Sequence, residues 1–109
     1  MTEPSHEDAE RLLERLADRL RVVGPRLAAR EGEAAAHLLR EVRAGLQRLA
    51  DLAADADGEP RRAVPELAGH ALGDQALVLG HDLLGAPGQR SAAVRAATVQ
   101  TLQDVNRLI

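Results

Sequence analysis

The chain has 109 residues with no cysteine, no aromatic residue and a formal net charge of −3. This length suits a single domain over residues 1–109, and the lack of cysteine excludes disulfides, zinc fingers and thiol nucleophiles. The slightly acidic balance argues against a general nucleic-acid-binding surface, which would be strongly basic.

All fourteen basic residues are arginine, and alanine and leucine are abundant. This composition is typical of GC-rich bacterial genomes. No run of about 18 apolar residues is present, so we expect no membrane span. The acidic N-terminus lacks the basic and apolar regions of a secretory signal, and we therefore expect a cytoplasmic protein.

The first predicted helix carries an apolar stripe whose members are spaced by three and four residues. These members are Ala9, Leu13, Leu16, Leu20, Val23 and Leu27. Ser5 can cap the start of this helix, and Asp8 can complete a capping box. Gly24 and Pro25 interrupt the pattern, but Leu27 stays in register, so we expect a kink and not an end.

The second predicted helix repeats the apolar pattern from Ala35 to Ala53. It follows a turn at Glu31 and Gly32, where Gly32 is expected to form a left-handed cap of the first helix. The connection is short, so the first two helices should be antiparallel neighbours. Residues 55–60 form the clearest loop.

The third predicted helix begins near Pro65, which suits a first helical turn, and runs to about Leu84. Residues 85–88 end it, and the fourth helix follows from a Ser91 cap to the C-terminus. Four amphipathic helices with short loops predict an all-α, antiparallel up-down-up-down four-helix bundle. The expected core residues are Leu16, Leu20, Leu39, Leu46, Leu72, Leu79, Leu102 and Val105.

A strip of small residues runs along one side of the third predicted helix. Its members are Gly69, Gly73, Ala76 and Gly80. Each interior glycine costs about 0.5–1 kcal/mol relative to alanine, and such a strip lets another backbone approach closely. We expect a contact surface for a second copy of the chain or for another helical protein, although a neighbouring helix of the same bundle could use the strip instead.

His70, Asp74 and His81 share another face of the same helix. His70 and Asp74 are close enough to touch, but His81 lies about 16 Å from His70 along the axis and cannot ligate the same ion. We therefore predict no metal site, with His70 and Asp74 as weak candidates. A polar, solvated face is the preferred interpretation.

The stretch from His70 to Gly80 resembles the reactive segment of histidine-containing phosphotransfer domains over about a dozen residues. It keeps His70, Leu72 and Gly80, but Gly73 and Asp74 replace the Lys and Gly of that family. The resemblance implies phosphoryl transfer through His70. The carboxylate of Asp74 would repel an incoming phosphoryl group.

Four polar residues are expected near the apolar faces of the third and fourth helices: Gln75, Asp82, Thr98 and Thr101. If these two helices are adjacent, the four side chains could form a buried cluster that fixes helix register. A polar pocket for a small ligand is the alternative.

The first helix also carries Arg11, Arg15, Arg19 and Arg26, interleaved with acidic residues. We expect a salt-paired solvent face, with a patch for an acidic partner as the alternative.

No Lys or Cys nucleophile, phosphate loop or Ser-His-acid set is present, so we predict no enzymatic activity and no cofactor. The predicted function is a small non-catalytic helical interaction module that self-associates through the small-residue face of the third helix. The alternatives are a ligand-binding bundle and, more weakly, a phosphotransfer-like or metal-binding bundle that uses His70.

Overall fold

The computed structural model describes residues 5–109, apart from the side chain of Arg90, so the N-terminal acidic residue Glu3 lies outside this range. The described residues form four α-helices and no strand. The helices are α1 (His6–Ala29), α2 (Glu33–Asp57), α3 (Leu72–Leu84) and α4 (Ala92–Leu108). Two short 3-10 turns, Gly69–Ala71 and Pro87–Arg90, precede α3 and α4. The predicted all-α four-helix bundle is confirmed.

The start of α1 confirms the predicted capping box. The Ser5 hydroxyl accepts from the Asp8 amide at 3.1 Å, and the Asp8 carboxylate accepts from the Ser5 amide at 3.3 Å. The helix continues through Pro25 to Ala29. Pro25 therefore does not end the helix, although proline removes one backbone donor from the helical ladder.

The ends of α2 differ from the sequence prediction. Gly32 has a positive φ of 108°, but it precedes α2 and does not cap α1, which ends at an extended Arg30. At the other end α2 continues through Asp57, three residues into the predicted loop, and Gly58 adopts the left-handed conformation with φ 67°. The Gly58 amide donates to the carbonyl groups of Ala54 and Asp55, which closes the helix.

Residues 58–68, which we call the strap, are not helical, so the predicted start of the third helix at Pro65 was wrong. Proline disfavours the α conformation of the residue before it, here Val64. Side chains of α2 and α3 also provide hydrogen bonds to the strap backbone, so the strap needs no helical ladder. The helix begins only after the turn at Gly69–Ala71.

The strap reverses the direction expected for α3. Gly69, just before α3, contacts Gly24 near the C-terminal end of α1, whereas Gly80, further along α3, contacts Leu13 nearer the start of α1. The helices α1 and α3 are therefore antiparallel. Because the strap returns along α2 before α3 begins, α3 runs parallel to α2. The helix order is therefore up-down-down-up with one crossover, and not up-down-up-down.

Helix neighbours also differ from the order in the sequence. The most extensive helix contact joins α1 to α3, followed by α2 with α4, whereas the consecutive helices α3 and α4 make little direct contact. Gly45 packs on Val105, and Ala56 packs on Gly88, so α2 and α4 are antiparallel. The core therefore forms mainly between the first and second halves of the chain.

The predicted core is confirmed at six positions, which are buried: Leu16, Leu20, Leu46, Leu72, Leu102 and Val105. Leu39 and Leu79 are partly buried and pack against this core from its margin. Within residues 5–109 no helix combines the length and apolar character needed to cross a membrane.

Candidate interaction site

The small-residue strip of α3 is covered by α1 of the same chain. Gly69, Gly73, Ala76 and Gly80 are all buried. A Cβ atom at Gly73 would lie 2.7 Å from the Ala17 carbonyl oxygen, and one at Gly69 would meet the Gly24 carbonyl group. The strip therefore allows close packing inside the bundle, and it is not an open surface for a second chain in this fold.

Gly24 is the counterpart of the strip on α1, and the sequence analysis assigned it no role in packing. A Cβ atom there would collide with the backbone carbonyl group of Gly69. The two backbones are in direct contact at this point, where neither helix could carry a side chain without moving. A glycine inside an apolar helical pattern was the signal that could have identified this contact.

The four polar residues expected between the third and fourth helices do not come together, because α3 and α4 hardly touch. Gln75 donates to the Pro65 carbonyl at 2.8 Å, and Asp82 lies at the edge of a cleft between α2 and α3. The Thr98 and Thr101 hydroxyls each donate at 2.8 Å to the carbonyl group one turn earlier. The expected register cluster or ligand pocket is not formed.

Thr98 instead belongs to a local network at the start of α4. Its hydroxyl accepts from Nε2 of Gln89 at 2.8 Å, and Gln89 is itself buried. The Gln89 carbonyl accepts from Arg95 at 2.8 Å. This network fixes the second 3-10 turn against α4, which is a structural role.

The weak metal candidates lie on an exposed face. His70 lies in the first 3-10 turn, and Asp74 accepts from Arg21 of α1 at 3.2 Å. His81 is exposed on the last turn of α3. Within residues 5–109 no group of three His, Cys, Asp or Glu side chains is arranged to hold a metal ion.

The strap is held by side chains that bind its backbone. Oε1 of Gln47 accepts from the Val64 amide at 2.8 Å, while Nε2 donates to the Arg62 carbonyl at 2.9 Å. Gln47 thus pairs with the strap as a neighbouring peptide group would. Both terminal nitrogens of Arg43 donate to the Leu67 carbonyl, at 2.8 and 3.2 Å.

An ion pair anchors the start of the strap. Arg61 donates to both carboxylate oxygens of Asp55, at 2.7 and 3.0 Å, and lies 3.9 Å from Asp51. This hydrogen bonding lowers the pKa of Asp55, and the same interactions raise the pKa of Arg61. The strap is therefore tied to α2 at Arg61, at Val64 and at Leu67.

The exposed surface of the strap, which we call its outward side, carries four apolar residues beside the charged residues Arg61, Arg62 and Glu66. Ala63, Pro65, Leu67 and Ala68 are all exposed, and the Leu67 side chain is 40% exposed. The strap also borders a cleft of about 270 Å³, whose polar lining side chains are Arg40, Arg43, Gln47, Glu66 and Gln75. Three of these, Arg43, Gln47 and Gln75, already bind the strap. The outward side of the strap is therefore the better candidate for contact with another molecule.

The sequence analysis did not identify Arg43 or Gln47. Both lie on α2 among many other polar residues, so their types gave no signal. The two prolines at positions 60 and 65 were the available sign that the intervening chain is not helical.

No protein-family model, curated protein or solved structure matches this chain. The interpretation of the site therefore depends on its geometry.

Proposed function

We propose that the chain is a small non-catalytic helical interaction module that self-associates through the outward side of the strap. The observation that carries this proposal is a non-helical backbone clamped by Arg43, Gln47 and Gln75 while its apolar side chains remain exposed. Functional loops held on a rigid scaffold commonly have this character.

The clamp supports the proposal because it reduces the entropic cost of binding. Ordering a flexible loop at an interface costs about 0.5–1.5 kcal/mol for each immobilised side chain, in addition to the cost of the backbone. Here three strap carbonyl groups and one amide are already bound within the chain. An extended segment that contains proline is also a common form of recognition element.

The other exposed large apolar residues are weaker candidates for an interaction surface, because charged residues flank each of them. Val78 is 61% exposed, but its neighbours one turn away on α3 are Asp74 and Asp82. Val22 is 54% exposed and has Asp18 and Arg26 at the same spacing on α1. Isolated apolar side chains of this kind need no functional explanation.

Charge complementarity supports a second copy as the partner. Arg62 and Glu66 lie symmetrically about Val64, and neither makes an ion pair among the described residues. If two straps pack antiparallel about a two-fold axis at Val64, Arg62 of one copy faces Glu66 of the other. Such an arrangement uses one surface twice, as closed dimers do.

The experiment compares two substitutions that each remove one exposed apolar side chain. We expect Leu67→Ser to raise the dimer dissociation constant about tenfold, which corresponds to about 1.4 kcal/mol, as measured by sedimentation equilibrium. Val22→Ser is the matched control and should leave the constant unchanged. A wild-type chain that stays monomeric at high micromolar concentration, or equal effects of both substitutions, would reject the proposal.

A further inference from the structure

A cleft of about 230 Å³ lies between α1 and the C-terminal half of α4. Its lining residues are Leu12, Arg15, Arg19, Gln103, Asn106 and Arg107. The charged members of this lining are three guanidinium groups, and no carboxylate is among them. The cleft is therefore positively charged in a chain whose formal net charge is −3.

Three other clefts among the described residues carry both signs of charge. The cleft beside the strap has Glu66 with its two arginines, and the cleft that includes Leu79 has Arg62 with three acidic residues. A third cleft, between α2 and α4, contains two aspartates with two arginines. Charges of both signs partly offset one another within those clefts, whereas the lining of the α1/α4 cleft contains no acidic side chain.

Arg19 is positioned by α4. Its Nη1 donates to the Asn106 carbonyl at 2.9 Å and approaches the Asn106 side-chain oxygen at 3.3 Å. The Arg19 guanidinium is thus held in a partly buried position. Both of these hydrogen bonds use Nη1, so Nε and Nη2 take no part in them. Part of its charge is offset by the C-terminal end of α4, where the helix dipole is negative.

Arg15 and Arg107 supply the remaining charge. Arg15 is exposed one helical turn before Arg19 and makes no ion pair with any described residue. Arg107 pairs with Asp104 at 3.5 Å, a long contact between partly exposed groups. The salt-paired solvent face expected for α1 is therefore present at Arg11, which lies 3.8 Å from Glu7, but not at Arg15.

We infer that the α1/α4 cleft binds a phosphate group, either as the free ion or as a small phosphate monoester. Guanidinium groups match the oxygens of phosphate in pairs. The unpaired charge of Arg15, with the partly offset charges of Arg19 and Arg107, suits a phosphate dianion better than a single carboxylate. The amide side chains of Gln103 and Asn106 can donate further hydrogen bonds. This inference is independent of self-association, because the cleft is lined by α1 and α4 whereas the strap is held by side chains of α2 and α3.

The test is a titration of ¹⁵N-labelled protein with sodium phosphate, with ionic strength held constant by sodium chloride. We expect saturable chemical-shift changes confined to the amides of residues 12–19 and 103–107. Glycerol phosphate in a parallel titration distinguishes the two sources of the group. Tighter binding of the monoester assigns a small phosphorylated molecule, and equal binding assigns the phosphate ion.

Three variants should have three different effects on the dissociation constant for phosphate. Arg15→Ala should raise the dissociation constant about two- to fivefold, the range for an exposed charge pair, and it removes no internal contact. Asp104→Asn should lower the constant because it frees Arg107, and Arg48→Ala on α2 should leave it unchanged. Shifts that do not saturate, or an Arg15→Ala variant that binds as wild type does, would show only general ionic effects and overturn the inference.

Discussion

At the scale of single residues, glycines allow two helices to approach each other closely. Gly24 and Gly69 bring α1 and α3 together backbone to backbone, and Gly73 approaches Ala17 in the same interface. The sequence predicted that small residues on the third helix permit a close approach. It could not tell which helix approaches, because that depends on the crossover and not on the strip.

Gly24→Ala has two opposing effects on stability: a gain in helix propensity and a steric clash at the contact between α1 and α3. Alanine inside a helix gains up to about 1 kcal/mol over glycine, but forcing a methyl group into a packed interface costs about 1–3 kcal/mol. The added atom here would meet a backbone carbonyl group, which cannot rotate away. We therefore expect the free energy of unfolding, measured with urea, to fall by about 1–2 kcal/mol.

Gly85→Ala is the matched control for that substitution. Gly85 has an ordinary φ of −83° at the end of α3, and a Cβ atom there stays 3.3 Å from its nearest neighbour, the His81 carbonyl oxygen. The free energy of unfolding of the Gly85→Ala variant should differ from that of wild type by less than about 0.5 kcal/mol. Equal stabilities of the two variants would mean that α1 and α3 do not touch at Gly24.

At the scale of elements, local sequence patterns predict the helices but not the conformation of the strap. The capping box at Ser5, the Ser91 cap and the stop near residue 85 are local signals, and each helix end they predict is observed. Pro65 carried an equally local signal for a helix start, but distant side chains outweigh it. Gln47 donates to Arg62 and accepts from Val64, which lie 15 and 17 positions further along the chain. Hydrogen bonds over such separations have no signature in periodicity.

Gln47→Ala should release the centre of the strap and leave the helices intact. We expect the Val64 amide to lose its protection against hydrogen exchange, because Oε1 of Gln47 is its acceptor. The loss of these bonds should cost about 1–2 kcal/mol of stability. Gln100→Ala on α4 removes a comparable exposed side-chain bond, to Asp104, and should not change exchange at Val64.

The anchor at the start of the strap depends on pH. Because the hydrogen bond from Arg61 lowers the pKa of Asp55, the anchor stabilises the fold above the ordinary pKa near 3.8 and weakens as pH falls through the lower folded value. In Arg61→Gln the carboxyl carbon of Asp55 should titrate at a higher pH than in wild type. An unchanged midpoint, with Arg26→Gln as the control, would show that the ion pair does not form in solution.

At the scale of the whole molecule, the fold class follows from composition and periodicity, but the order of the helices does not. The short loops predicted that consecutive helices pack against each other. In the structure α3 and α4 barely touch, and the main contacts join the two halves of the chain. The 11-residue strap makes this possible because it returns along α2 before α3 begins. It also holds exposed apolar side chains, together with Arg62 and Glu66, on the surface, and the proposed self-association depends on them.

Charge reversal across the proposed two-fold axis tests self-association most directly. Arg62→Glu and Glu66→Arg should each raise the dimer dissociation constant about fivefold in sedimentation equilibrium, because each places like charges opposite one another. The double variant restores opposite charges and should return the constant to within about twofold of wild type. Additive weakening in the double variant, or no effect of either single substitution, would contradict a symmetric dimer built on the strap.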